Sequence, residues 1–253
     1  MVAKRFAAMA WAAAGMFVTA GSAGAAVTST YSGNGASGFG GTLGNGSLVI
    51  GADGAGNVTF TLNPSGGFSG NAVVVYIDSV AGGVNNTSTF TDNGDVGRES
   101  ISAANSGNPS RVNISFPTGF GADYALEFEN NTYMGLFNLS TPSNFGYVTG
   151  AAPTSGGPYT VTFPLSSLGL STGQGFTFDA DLISTSAYGS NETIGASVTT
   201  GDPSGSAPNA GFNGSIAFTT ADTFTTAVPE PASVGLVAVA GLLAVRRRRI
   251  ASA

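Results

Sequence analysis

The chain has 253 residues, 39 of them Gly and only 9% charged, and it contains neither Cys nor His. Their joint absence removes disulfides, a zinc site, and every Ser-His or Cys-His nucleophile pair. A formal charge of −6 speaks against nucleic acid as a partner, because that binding runs on cationic contacts to phosphate.

At the N-terminus Lys4 and Arg5 precede an uncharged run over residues 6–19, and small residues follow at Ala23, Gly24, Ala25 and Ala26. A basic start, a short apolar middle and a small-residue end make a secretory signal peptide. Residues 1–26 are assigned to it. The expected partners are the Sec machinery and signal peptidase, with cleavage after Ala25 or Ala26.

Residues 27–227 are then the extracytoplasmic domain, long enough for one sizeable core. They keep two cations, Arg98 and Arg111, against thirteen carboxylates, a net charge near −11. Such a surface stays soluble and attracts divalent cations. The domain opens on a Gly-rich segment, residues 27–56, densest at Gly38-Phe39-Gly40-Gly41 and Gly44-Asn45-Gly46. It is either a flexible leader or the tight turns of an opening β-meander, and Leu48, Val49 and Ile50 favour the meander for its later half.

Beyond it the hydrophobic period is close to two, the signature of half-buried strands. Val58, Phe60 and Leu62 alternate with Thr59 and Thr61, and Val112, Ile114 and Phe116 with Asn113 and Ser115. Tyr124, Leu126 and Phe128 alternate with Ala125, Glu127 and Glu129, so one face reads as apolar and the other as charged. The rhythm recurs at Tyr159, Val161 and Phe163, at Phe176, Phe178, Ala180 and Leu182, and at Ile216 and Phe218. Residues 72–77 are apolar on both faces, as expected of a covered central strand. Turn residues such as Asn63-Pro64-Ser65-Gly66, Asp92-Asn93-Gly94 and Ser155-Gly156-Gly157-Pro158 separate these runs. No long amphipathic helix is expected; the nearest is one turn over residues 164–170. About ten short strands with Gly-rich connections predict an all-β fold, an antiparallel β-sandwich of jelly-roll-like form.

The order Val75-Tyr76-Ile77-Asp78, then Phe120-Gly121-Ala122-Asp123-Tyr124-Ala125-Leu126, then Ser190-Asn191-Glu192 resembles β-sandwich domains of the carbohydrate-binding-module 9 and DOMON type over residues 70–213. The resemblance implies a domain that binds sugar or haem. A His-ligated haem is ruled out, and the single tryptophan, Trp11, sits in the signal peptide. A sugar-stacking platform therefore falls to aromatics such as Tyr133, Phe137, Phe145, Tyr147 and Tyr188, most of which strand spacing places in the core.

Asp92, Asp95 and Glu99 could supply oxygen ligands to Ca²⁺, although their spacing is not that of an EF-hand; the alternative is a solvated Asx turn. No other cofactor is expected. Asp179 and Asp181 share a strand face and are the pair a carboxylate-based glycoside hydrolase would use. The buried face of Phe176, Phe178, Ala180 and Leu182 leaves them pointing outward. Asp78 and Asp123, at strand ends, either mark a ligand edge or cap turns. Arg98 and Arg111 are each expected to pair with a nearby carboxylate.

Residues 228–253 close the chain with Pro229-Glu230-Pro231, an apolar stretch over 232–245 and the cluster Arg246, Arg247, Arg248 and Arg249. As a transmembrane helix the stretch would rise about 21 Å against a hydrocarbon core of about 30 Å, a poor permanent anchor. The four arginines hold this end in the cytoplasm. Motif, short helix and arginine cluster together resemble the PEP-CTERM sorting signal. The resemblance implies cutting by an exosortase, a membrane cysteine transpeptidase, with Pro229, Glu230 and Pro231 as recognition motif and Arg246 to Arg249 as stop-transfer cluster. It also implies a setting of exopolysaccharide. The reading is an exported, non-enzymatic protein of the cell surface, outer membrane or biofilm matrix that touches the inner membrane transiently; the alternatives are a carbohydrate-binding module and a carboxylate-based glycoside hydrolase.

Overall fold

The structure, a computed structural model, describes residues 26–105, 111–130, 132–153, 155–195, 197–201 and 213–226. Ala25, the Pro229-Glu230-Pro231 motif, the apolar stretch 232–245 and the arginines 246–249 lie outside these residues. Ala26 is exposed just ahead of the first strand. No described helix is long and apolar enough to cross a membrane.

The chain is all-β with one α-helix among the described residues, and it forms fourteen strands there where about ten were expected. A first sheet joins β1 (Val27–Ser32), β2 (Ser47–Ala52), β3 (Asn57–Asn63) and β9 (Tyr159–Pro164) in the antiparallel order β1-β2-β3-β9. The meander reading of the opening segment therefore holds, and it includes β1. Alternation decides the faces: Leu48, Ile50, Val58, Phe60, Leu62, Val161 and Phe163 are buried. Threonines take the outer face, where Thr59 and Thr162 hydroxyls meet at 2.8 Å and those of Thr61 and Thr160 at 3.1 Å.

The second sheet contains β4 (Asn71–Asp78), β6 (Tyr124–Glu129), β7 (Tyr133–Asn138), β8 (Gly146–Ala151), β10 (Gly175–Ser184) and β11 (Thr193–Ile194), in the order β11-β10-β4-β6-β7-β8. A further strand, β14 (Asp222–Thr225), pairs with β10. One face of this sheet packs on the first sheet through Val73, Val75, Ile77, Leu126, Phe128, Phe178 and Leu182. Its other face is covered by α1 (Val96–Ser102) and by a third sheet, β12 (Val198–Gly201), β13 (Gly214–Phe218) and β5 (Val112–Ser115), whose β13–β5 pair is parallel. Val74, Tyr76, Ala125 and Phe137 meet Ile101, Val112, Ile114, Ile216 and Phe218 in that second core. Covering on both sides is why residues 72–77 are apolar throughout. The expected single turn appears as a 3-10 segment, Leu165–Leu168.

Residues 33–46 are folded around one side chain. Glu192 is fully buried and accepts main-chain N–H groups from Phe39 at 2.5 Å and Gly41 at 2.9 Å on Oε1, and from Leu43 at 2.8 Å and Gly44 at 3.2 Å on Oε2. Next to it, Asn191 Oδ1 accepts from Gly38 N at 3.1 Å. The chain passes itself so closely that a Cβ on Gly44 would stand 2.0 Å from Ala36 O, so only glycine fits there. Asn191 and Glu192, polar in sequence, are thus an internal clasp.

Glu192→Ala strands four amides in the interior, and a buried polar group without a partner costs about 1–3 kcal/mol. Urea denaturation should show a loss of at least ~3 kcal/mol, with faster proteolysis within 38–44. A loss below about 1 kcal/mol would show that the clasp is incidental.

Candidate functional site

Asp92-Asn93-Gly94 forms an Asx turn, with Gly94 N donating to Asp92 Oδ1 at 3.2 Å. Asp92 is nonetheless 5% exposed rather than solvated, and Oδ2 accepts Phe145 N at 2.5 Å. Asp95 caps α1, accepting Arg98 N at 2.9 Å, as Asp does well at this position. The Arg98 guanidinium is held by three groups: its Nε lies 3.1 Å from Asp92 Oδ2, it pairs with Asp95, and it donates to Phe145 O at 3.3 Å. Its Cζ stands 4.9 Å over the Phe137 ring. Two of the three acids considered for Ca²⁺, Asp92 and Asp95, are therefore engaged by amides and an arginine, and Glu99 lies on α1 near Asn105. Among the described residues no three acids converge as metal ligands.

Among the described residues Arg98 meets the expectation of a carboxylate partner and Arg111 does not. Arg111 donates to Asn113 Oδ1 at 3.0 Å, Phe90 O at 3.1 Å and Thr87 O at 2.6 Å. Asp78 and Asp123 are turn caps: Asp78 accepts Gly121 N at 3.1 Å, and Asp123 accepts Ser79 N at 3.0 Å and Val80 N at 2.9 Å.

Alternation misplaced the acids of the central sheet. Asp179 and Asp181 are 2% and 0% exposed, not outward, and Glu127 on the supposed charged face of β6 is 0% exposed. The cause is the second layer, which covers that face. Asp181 and Glu127 are both register partners of Val74, so they flank it in one row. Among the described residues, both oxygens of Glu127 and of Asp181, and Oδ2 of Asp179, have no hydrogen-bond partner. Burial pushes all three carboxyls up, Asp179 to about 8, with Asp222 adding to Asp179. In all three, burial without a partner disfavours the charged form.

Beside Glu127 the surface opens into a groove of about 650 Å³ between α1 and the β7–β8 hairpin. Tyr133, Phe137 and Tyr147 line it with Asp95, Gly97 and Glu129. The ring centroids lie 6.4 Å apart for Tyr133–Phe137, 6.5 Å for Tyr133–Tyr147 and 5.9 Å for Phe137–Tyr147. Phe137 is the buried floor, and Tyr147 is 55% exposed at the rim. Two paired glycines make room for the rings. Gly135 and Gly150 are register partners; a Cβ on Gly135 would stand 2.4 Å from Tyr133 Cε1, and one on Gly150 3.1 Å from the Tyr147 hydroxyl. Burial, then its hydrogen bond with Tyr147, raises the Tyr133 phenol, which stays neutral.

Of the aromatics considered for stacking, Tyr133, Phe137 and Tyr147 are thus brought together. Phe145 is buried edge-on against Phe90 at 4.9 Å, and Tyr188 sits in the turn after β10. The groove's acids were not anticipated as its partners, since β6 and α1 meet only through tertiary packing. No family model, curated protein or solved structure matches the chain.

A carboxyl with a folded pKa above its unfolded value of about 4 contributes stability fully below that value, and loses it as pH rises through the folded one. Stability to urea should therefore fall between about pH 5 and pH 8.5, across the Asp179 value of about 8. Asp181→Asn should flatten the slope. A profile that rises with pH would mean these acids are ionised in the fold.

Proposed function

We propose that this is an exported, non-catalytic protein of the cell surface or extracellular matrix that binds glycan in the groove between α1 and the β7–β8 hairpin. Export and tail processing rest on the charge pattern of the two ends and on the resemblance to the PEP-CTERM signal. Glycan binding rests on one observation above the others: two tyrosine rings and a phenylalanine floor meet carboxyl groups in an open groove. Sugars present apolar C–H faces edged by hydroxyls, so a site for them needs ring faces and polar acceptors together. The finer fold reading, a jelly-roll-like sandwich, rests on the crossings that take the chain from β3 to β4 and from β8 through β9 to β10. A hydrolase is disfavoured because Asp179 and Asp181 are sealed in the interior, where no substrate reaches them.

Tyr147→Ala should weaken retention on the cells' own exopolysaccharide about tenfold, worth ~1.4 kcal/mol, with unfolding unchanged. Gly135→Ala, which forces the Tyr133 ring aside, should do the same. Affinity electrophoresis in gels containing the polysaccharide reads both, and unaltered mobility would sink the groove as a glycan site. Intact mass of the surface form should match a chain that has lost residues 1–25 or 1–26 and the arginines 246–249.

A further inference from the structure

We propose that the groove selects a glycan bearing free amines, an unacetylated amino sugar, with the ammonium held between the Tyr133 and Tyr147 rings and the carboxyls of Glu127 and Glu129. This rests on the glycan reading of the same groove. Ring faces attract a cation within about 6 Å of the centroid, and such cages are the usual means of holding organic ammonium groups. The floor already follows this preference, since Arg98 stands over Phe137.

Charge decides the sign of the ligand. Among the described residues Arg98 is the only cation lining the groove, and it is matched by Asp92 and Asp95. Arg111, the other cation of residues 27–227, is spent on carbonyls of Thr87 and Phe90. An anionic sugar thus finds nothing to pair with, whereas Glu129 lines the groove and Glu127 lies just behind its wall. The wall there is Gly97, and a Cβ on it would sit 3.3 Å from Glu127 Oε2 and 3.4 Å from Asp95 Oδ1. The unanswered carboxyl of Glu127 therefore comes closest to the groove where the wall carries no side chain.

Glu127 supplies the second, independent observation. It is buried, and neither oxygen has a hydrogen-bond partner. A buried carboxyl without a partner is answered by a cationic donor, and an ammonium offers three donors and no acceptor. A neutral N-acetyl sugar brings a bulkier amide with its own acceptor and no charge, so it leaves the carboxyls unanswered.

The test is isothermal titration of the full-length chain with a glucosamine tetramer, an N-acetylglucosamine tetramer and tetralysine. The amine tetramer should bind at least tenfold more tightly than the acetylated one, and added salt should narrow the gap. Glu127→Gln, which removes the charge that the ammonium would meet, should abolish the preference while leaving the acetylated tetramer unaffected. Glu129→Gln, at the half-buried end of the strand, should halve it at least and guards against a folding defect at 127. Equal binding of both tetramers overturns the ammonium assignment and leaves a glycan groove standing. Tetralysine binding as tightly as the amine tetramer overturns the sugar and points to a peptide amine. No binding of any oligomer, nor of the native exopolysaccharide, overturns the groove reading and this inference with it.

Discussion

The second sheet is sealed on both faces, and most of what is unusual in this protein follows from that constraint. A sheet covered once can send every alternate residue to water; one covered twice cannot. β4 meets the demand with an unbroken apolar run, whereas β6 and β10 carry acids into the covered face. Glu127, Asp179 and Asp181 lie there, where burial without a partner disfavours the charged form. The second layer stops beside α1, and there the rings of β7 and β8 reach the surface. The groove is the edge of that cover, with one of the sealed acids directly behind it.

This arrangement changes what the composition means. A count of thirteen carboxylates against two arginines describes an unfolded chain better than the folded one. With Glu127, Asp179 and Asp181 buried, the charge that solvent meets is concentrated at loops and at the groove rim. Arg98 is the counterpart: a single guanidinium draws Asp92, Asp95 and the Phe145 carbonyl together, so α1 and the turn before it are fastened to β8's entry. The groove's shape depends on that fastening more than on the seven-residue helix, whose own propensity is slight.

The periodic strands were legible because one face of each meets a core: β3, β5, β9 and β10 all stand where alternation placed them. β7 and β8 were not. Met134-Gly135-Leu136-Phe137 is buried on both faces and has no alternation to read, and Gly146 and Gly150 weaken the strand signal of β8. α1 was also hidden, because Val96–Ser102 includes Gly97 and two serines and owes its start to the Asp95 cap. The largest error, acids turned outward on β10 and β6, has a long-range cause. The cover is built from β5 and β13, about a hundred residues apart and paired in parallel, and no local pattern reports that a distant layer will arrive. Aromatics could be nominated for the groove by chemistry, but which three would gather was decided by the Gly135–Gly150 pairing.

The Glu192 clasp has a bearing on how the molecule is made. The segment it gathers, residues 38–44, precedes its acceptor by some 150 residues in the chain. Until that carboxylate arrives, the Gly-rich stretch has four amides for which only water serves, and it remains pliable. The opening turns can close only after a contact that spans most of the domain has formed, which places them late in the assembly of the fold.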